Sequence, residues 1–251
     1  NKGFLEVHTQ NRLSILAACE DPFNVATYNY AGQVWPLPQT GQMWLEHELL
    51  SKPDSKGFFC VSTSYRQEPN AIPGRHDIIF PMFEFEFPGT IEDLKAMEYE
   101  LVEYLGFPKP EEKQYSEWQE HFGLDAHAEL GAGHELKMFN EFKTAMITDF
   151  PEFTSPFWNM SRYNDEVHSK KIDVILGGME TIGSAERSCN VVQMRDTFHS
   201  ITDGAYSKLL FDLFGKERVE EELEKFLEFD FFPRVGGGIG MTRMIAALDT
   251  I

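Results

Sequence analysis

Arg243 closes the stretch Pro233-Arg-Val-Gly-Gly-Gly-Ile-Gly-Met-Thr-Arg243, a glycine run that opens a helix and sets the arginine in its first turn. Glycines let backbone approach a ligand closely, and a helix start offers free N–H groups and a positive dipole end to an anion. Gly238, Gly240 and Arg243 are therefore candidate phosphate-binding residues, although a glycine-rich strand-to-helix turn is also ordinary chain punctuation. A second pattern lies between Phe58 and Phe87, where two β-rich segments flank a loop with Pro69, Asn70, Pro73 and Gly74. This reads as a long antiparallel hairpin. Arg66 and Glu68, two apart, point to the same face. In the second strand Phe80, Met82, Glu84 and Glu86 share one face, and Phe83, Phe85 and Phe87 share the other. A solvated face with cross-strand ion pairs would give the same pattern. Asp173 and Glu180, seven apart around a glycine turn, supply two oxygen ligands of the kind Mg²⁺ takes alongside phosphates. Surface acids of this kind are also commonly inert.

The elements that must position these residues follow from spacing and punctuation. Phe4 to Val34 alternates short strands with turn signals at Glu20-Asp-Pro and Ala31-Gly, and Met43 to Ser51 reads as a helix. After the hairpin, Ile91, Leu94, Met97, Leu101 and Leu105 recur at helical spacing behind a Thr90-x-x-Asp capping box, with a stop at Gly106-Phe-Pro. The polar stretch Lys109 to Gly133 predicts an irregular helical insertion, and Glu135 to Thr144 a further helix. Strands are expected at 145–149 and 172–176, and a helix over 215–227 before the last strand. There is no internal repeat or linker, so one domain over 1–251 is expected.

The 251 residues, 42% hydrophobic with 22 Phe, can bury a large core as a single domain. Three cysteines, Cys19, Cys60 and Cys189, form no Cys-x-x-Cys pair, which points to a reducing, cytoplasmic setting and away from a zinc site. No apolar run approaches the roughly 20 residues needed to cross a bilayer. The formal charge of −19 repels phosphate backbones, and the longest basic feature is Lys170-Lys171.

Five segments, in order, resemble the class II aminoacyl-tRNA synthetases of the aspartyl/asparaginyl group. GFLEVHTQ (Gly3 to Gln10) is similar to the end of motif 1, with Gln10 where the usual proline stands. TGQMWLE (Thr40 to Glu46) is closer to the asparaginyl version. SYRQE with RHDIIFPMFEFE resembles motif 2, GGMETIGSAERS (Gly177 to Ser188) the stretch before motif 3, and the run to Arg243 motif 3 itself. The resemblance implies an α+β fold, an antiparallel β-sheet flanked by helices, and a homodimer built through motif 1, whose helix is missing from these residues. Phe4, Leu5 and Val7 look too apolar to leave exposed there.

The resemblance also implies roles. Arg66 would bridge the α-phosphate of ATP and the substrate carboxylate, and Glu68 would hold adenine or orient Arg66. Phe80 would stack on adenine with Arg243 as the other side of the sandwich, while Arg75 and His76 touch the terminal phosphates. Phe80 could equally be core packing. Asp173 and Glu180 match the Mg²⁺ positions, with Gly183 in place of a third ligand. Glu20 and Gln42 would take the α-ammonium. Arg187 would grip the side-chain group near Glu84. Leu45 stands where aspartyl enzymes carry a lysine, leaving Arg187 as the sole cation facing the substrate side chain and favouring a neutral one. Ile79 and Thr242 replace acidic residues, and Gly-Gly-Gly-Ile-Gly-x-[Ser/Thr]-Arg is similar to ammonia-dependent asparagine synthetases.

Three readings follow: an ATP-dependent ligase passing an aspartate- or asparagine-like adenylate to ammonia or a small nucleophile, which is favoured; an asparaginyl-tRNA synthetase core; or a non-catalytic paralogue. Retention of Arg66, Arg243, Asp173 and Glu180 together argues against the last.

Overall fold

The structure, a computed structural model, describes residues 2–9, 13–69, 71–72, 74–165 and 167–251. Gln10 of the motif 1 match and Asn70 and Pro73 of the hairpin loop lie outside them. Strands β1 (Leu5–Glu6), β4 (Phe58–Tyr65), β5 (Ile79–Pro88), β6 (Glu111–Gln114), β7 (Thr144–Pro151), β8 (His168–Leu176), β9 (Met179–Glu186) and β10 (Arg234–Gly240) form an eight-stranded sheet in the order β1-β4-β5-β10-β9-β8-β7-β6. The central pairings are antiparallel and only the edge pairs β1–β4 and β6–β7 are parallel. A separate ribbon joins β2 (Thr27–Tyr30) to β3 (Gln33–Pro36). The fold is α+β, as expected.

The hairpin forms with the predicted two faces. Phe83, Phe85 and Phe87 pack with Ile91 and Leu94 of α2 (Ile91–Tyr104) and with Met244 and Ala247 of α8 (Met241–Leu248). Alternation puts Phe80, Met82 and Glu84 on the opposite face, where they line a cavity. The capping box is present, with the backbone N–H of Thr90 donating to Asp93 at 2.8 Å. α1 (Gln42–Ser51) lies over β4, β5 and β10. The helices α5 (Val191–Ser200), α6 (Ala205–Phe214) and α7 (Lys216–Leu227) build a second apolar cluster with Ile15, Trp44 and Trp158.

Two expectations are corrected. Within the expected irregular helical insertion, Glu111–Gln114 is a strand parallel to β7, followed by the short helix α3 (Tyr115–His121). An edge strand needs no apolar alternation on both faces, and Glu-Glu-Lys-Gln gives none. The next helix, α4 (Ala132–Phe142), starts earlier than expected and ends at Phe142, because Thr144 already pairs with Leu176. Of the three apolar residues near the N-terminus, Phe4 packs at a tilt against Phe87 with ring centroids 5.4 Å apart and Val7 packs beside Leu45, so only Leu5, 57% exposed, faces out. Among the described residues no helix is long and apolar enough to cross a membrane. Cys19 and Cys60 are buried, Cys189 is exposed, and all three are free.

Candidate active site

Strand register sets the floor of the site. Glu84 lies opposite Gly238, Gly238 opposite Gly183, and Gly183 opposite Asp173. Directly opposed residues share a sheet face, so two carboxylates stand at the ends of a row with two glycines between them. The next row runs Glu86, Gly236, Ala185, Lys171. The glycine run is therefore a central strand, and its backbone groups are committed to ladders on both sides. Gly238 thus lies inside β10, and the strand-to-helix turn falls at Gly240. What glycine supplies is close approach: a Cβ on Gly236 would lie 1.8 Å from Glu86 Oε2, and one on Gly238 2.6 Å from Met82 Cε. Gly240 ends the strand as the cap of α8, which carries Arg243 in its first turn.

A cavity of 340 Å³ opens over this floor, lined by Glu20, Gln42, Arg66, Glu68, Arg75, His76, Phe80, Glu84, Glu180, Arg187, Gly238, Gly240 and Arg243. Every sequence-proposed residue except Asp173 thus reaches one space. Asp173 is 7% exposed, beneath it.

At one end, Arg243 Nη1 donates to the backbone carbonyl of Glu180 at 2.7 Å, and its Nη2 to that of Arg75 at 3.4 Å. Arg75 Nη2 meets both carboxylate oxygens of Glu135 at 2.8 Å, and Glu135 also accepts the backbone N–H of Glu180 at 2.9 Å. These links tie α4, the hairpin loop, β9 and α8 together and fix two guanidinium groups at the cavity. Glu68 pairs with His76 at 2.9 Å. The group standing over the Phe80 ring is Arg66, with its guanidinium carbon 5.8 Å from the centroid. Arg66 Nη2 also lies 3.2 Å from Glu20, while its buried Nε has no partner.

Glu84 and Arg187, both buried, also line the cavity. Glu84, 1% exposed, accepts from Thr40 Oγ1, from the Gly41 N–H at 2.7 Å and from Ser62 Oγ at 2.5 Å. Burial raises its pKa against those hydrogen bonds. Arg187 is not alone before the cavity. It is 5% exposed and lies 3.4 Å from Glu86 and 3.7 Å from Glu46, and Arg66, Arg75, Lys171 and Arg243 line the same space. Glu46 in turn holds the fully buried Arg234 at 2.8 Å and Asn159 at 2.7 Å. Burial pushes Glu86 up to about 7, with Arg187 opposing. The Gln42 amide nitrogen donates to Glu86 and to the Phe85 carbonyl. Leu45 does not face this space: it is wholly buried with Leu49, Phe58 and Cys60.

Asp173 and Glu180 converge over Gly183, where an added Cβ would lie 2.9 Å from Glu180 Oε1 and 3.6 Å from Asp173 Oδ1. Asp173 Oδ1 is buried without a hydrogen-bond partner, and a cation there would satisfy it. Burial and then the Glu180 charge raise Asp173 to about 7. Among the described residues no group of three or more His, Cys, Asp and Glu could hold a metal. Two carboxylates nonetheless fit Mg²⁺ that completes its shell with phosphate oxygens.

Sequence reasoning missed Lys171, Glu135, Glu46 and Arg234. Glu46 stood inside the quoted TGQMWLE segment and Arg234 just before the glycine run, but a buried Glu–Arg pair leaves no periodic signal. Glu135 on α4 left none.

A family model described as tRNA synthetases class II (D, K and N) matches residues 1–250. The chain belongs to that family. No curated protein matches it in sequence. In structure, this class II synthetase core is similar to asparaginyl-tRNA synthetase from Pyrococcus horikoshii complexed with asparaginyl-adenylate, with TM-score 0.80 and 18% identity over 99% of this chain and 61% of that one. It is also similar to the Entamoeba histolytica asparaginyl-tRNA synthetase complex with asparaginyl-adenylate, at 0.77 and 17% over 98% and 59%. The aspartyl tRNA synthetase from the same organism matches at 0.70 and 17% over 98% and 51%. The class II core thus spans between half and about three fifths of these chains.

Proposed function

We propose that the protein uses ATP and Mg²⁺ to convert an asparagine- or aspartate-like amino acid into its adenylate, and passes the acyl group to ammonia or another small nucleophile. One observation carries this reading: Arg66, Arg75 and Arg243 converge on one cavity, with Glu20 facing Arg66 and Arg187 lining the same space. Amino-acid activation asks an enzyme mainly to neutralise a crowded triphosphate and align a carboxylate with the α-phosphorus. Arg66 is suited to both, and Arg75, His76 and Arg243 to the terminal phosphates, with Phe80 as the adenine platform. The carboxylate oxygen attacks the α-phosphorus and pyrophosphate leaves; an amine then attacks the acyl carbonyl and AMP leaves. Asp173 and Glu180 would hold Mg²⁺, which neutralises phosphate charge when bound.

Glu20 and Gln42 would receive the α-ammonium, with Glu84 beyond them. Because Glu86 and Glu46 already counter the Arg187 charge, a neutral amide suits the side-chain pocket better than a carboxylate. The acceptor reading rests on the net charge of −19, which opposes a polyanion. The second reading, an asparaginyl-tRNA synthetase core within a longer protein, is supported by the similarity to adenylate-bound asparaginyl enzymes. In either case residues 1–251 would act as one catalytic domain, cytoplasmic and homodimeric, and a monomer at micromolar concentration in sedimentation would refute the dimer. The acceptor is tested by AMP release with the cognate amino acid, comparing ammonia, small amines and tRNA.

A further inference from the structure

The Lys170-Lys171 pair entered the sequence reading only as a basic feature, and the proposed chemistry uses neither residue. The structure separates the two. Lys170 pairs with Glu186 at 2.5 Å. Lys171 sits one residue pair along β8 from Asp173, on the same sheet face, and lines the cavity beside Glu180. Its ammonium is 2.6 Å from Asp173 Oδ2 and 3.8 Å from the centroid of the Phe150 ring. The other Asp173 oxygen, Oδ1, has no partner and faces Glu180 Oε1 across Gly183. One of the two carboxylates that would serve a divalent cation thus already holds a cation of the chain's own, set between an acid and an aromatic face and within the field of the other carboxylate.

We propose that Lys171 is a built-in counter-charge of the Asp173–Glu180 pair, so that this pair takes up a divalent cation weakly by itself and holds one only when nucleotide phosphates contribute. The phosphate part of this inference rests on the adenylation reading; the counter-charge part does not. The pair and the lysine together carry one net negative charge instead of two, which lowers the attraction for a free divalent ion. Once a triphosphate occupies the cavity, the same ammonium adds to the positive field of Arg66 and Arg243.

Binding of Mn²⁺ alone, read from the electron paramagnetic resonance signal of the free ion, tests this without turnover. Wild-type protein is expected to bind Mn²⁺ weakly without nucleotide and more tightly with a non-hydrolysable ATP analogue. Lys171→Met is expected to tighten nucleotide-free binding about tenfold or more, the scale of removing a unit charge a few ångström away in a partly shielded site. Lys171→Arg keeps the charge and should stay near wild type, separating charge from packing on Phe150. Lys171→Gln gives a second neutral side chain should the methionine variant fail to fold. Nucleotide-free affinity unchanged within about twofold in a folded neutral variant, or a tight site in the wild-type protein alone, would overturn the proposal. Pyrophosphate exchange on the same samples tests adenylation separately, so a protein that activates no amino acid can still show the expected Mn²⁺ response.

Discussion

Arg66 and Glu20 face each other at 3.2 Å, a cation and an anion that both line the cavity. An amino acid zwitterion carries the complementary pair of charges. Its carboxylate can take the place of Glu20 before Arg66, and its ammonium the place of Arg66 before Glu20. An exposed pair of this kind contributes little stability, on the order of 0–1 kcal/mol, so exchanging it for substrate carries a small penalty. Glu20→Gln should raise the amino-acid KM by about tenfold while the KM for ATP stays within about twofold, as steady-state kinetics with each substrate varied will show.

Arg66→Ala and Arg243→Ala should each reduce adenylate formation by roughly two orders of magnitude or more, about 3–4 kcal/mol of lost charge stabilisation. The two differ in the ligand-free protein. Arg243 donates to the Glu180 carbonyl at 2.7 Å, so its loss should also lower stability by about 1 kcal/mol in denaturant unfolding. An exchange rate within a few-fold of wild type in either variant would show that the arginine replaced does not serve the phosphates.

Glu86 sets the charge that Arg187 presents. Glu86→Gln removes one of its two counter-charges, and the asparagine-to-aspartate ratio of kcat/KM should shift toward aspartate by about tenfold. An unchanged ratio would mean that Arg187 does not read the side chain.

Burial raises Glu98 from 4.5 to about 8, with the Ser184 hydroxyl at 2.6 Å as its hydrogen-bond partner. The folded protein keeps this proton to about pH 8, whereas the unfolded chain loses it near 4.5. Between those values the folded state binds more protons, so stability falls as pH rises. Glu98→Gln has no proton to lose, and thermal unfolding from pH 5.5 to 8 should show a flatter decline than wild type. Equal slopes would place Glu98 ionised in the fold.

The hairpin with its two faces, the Thr90 capping box and the helix 216–227 were legible because each rests on local periodicity or on a short-range hydrogen bond. The convergence of residues as distant as Glu20 and Arg243 was legible only through the motif resemblance, since strand order is not written in local spacing. Three features escaped for physical reasons. β6 is a charged edge strand whose pairing is parallel and non-local. Leu45 sits on the core side of α1, three residues from Gln42 but turned into the cluster with Phe58. The Glu46–Arg234 pair joins residues 188 apart whose burial no polar pattern announces.

Amino-acid-dependent exchange of pyrophosphate into ATP, run across all proteinogenic amino acids with and without EDTA, tests the central claim most directly. Exchange is expected with asparagine, more weakly with aspartate, with abolition by EDTA and a loss of roughly a hundredfold or more in Arg66→Ala. Folded protein that binds ATP yet supports no exchange with any amino acid would contradict it.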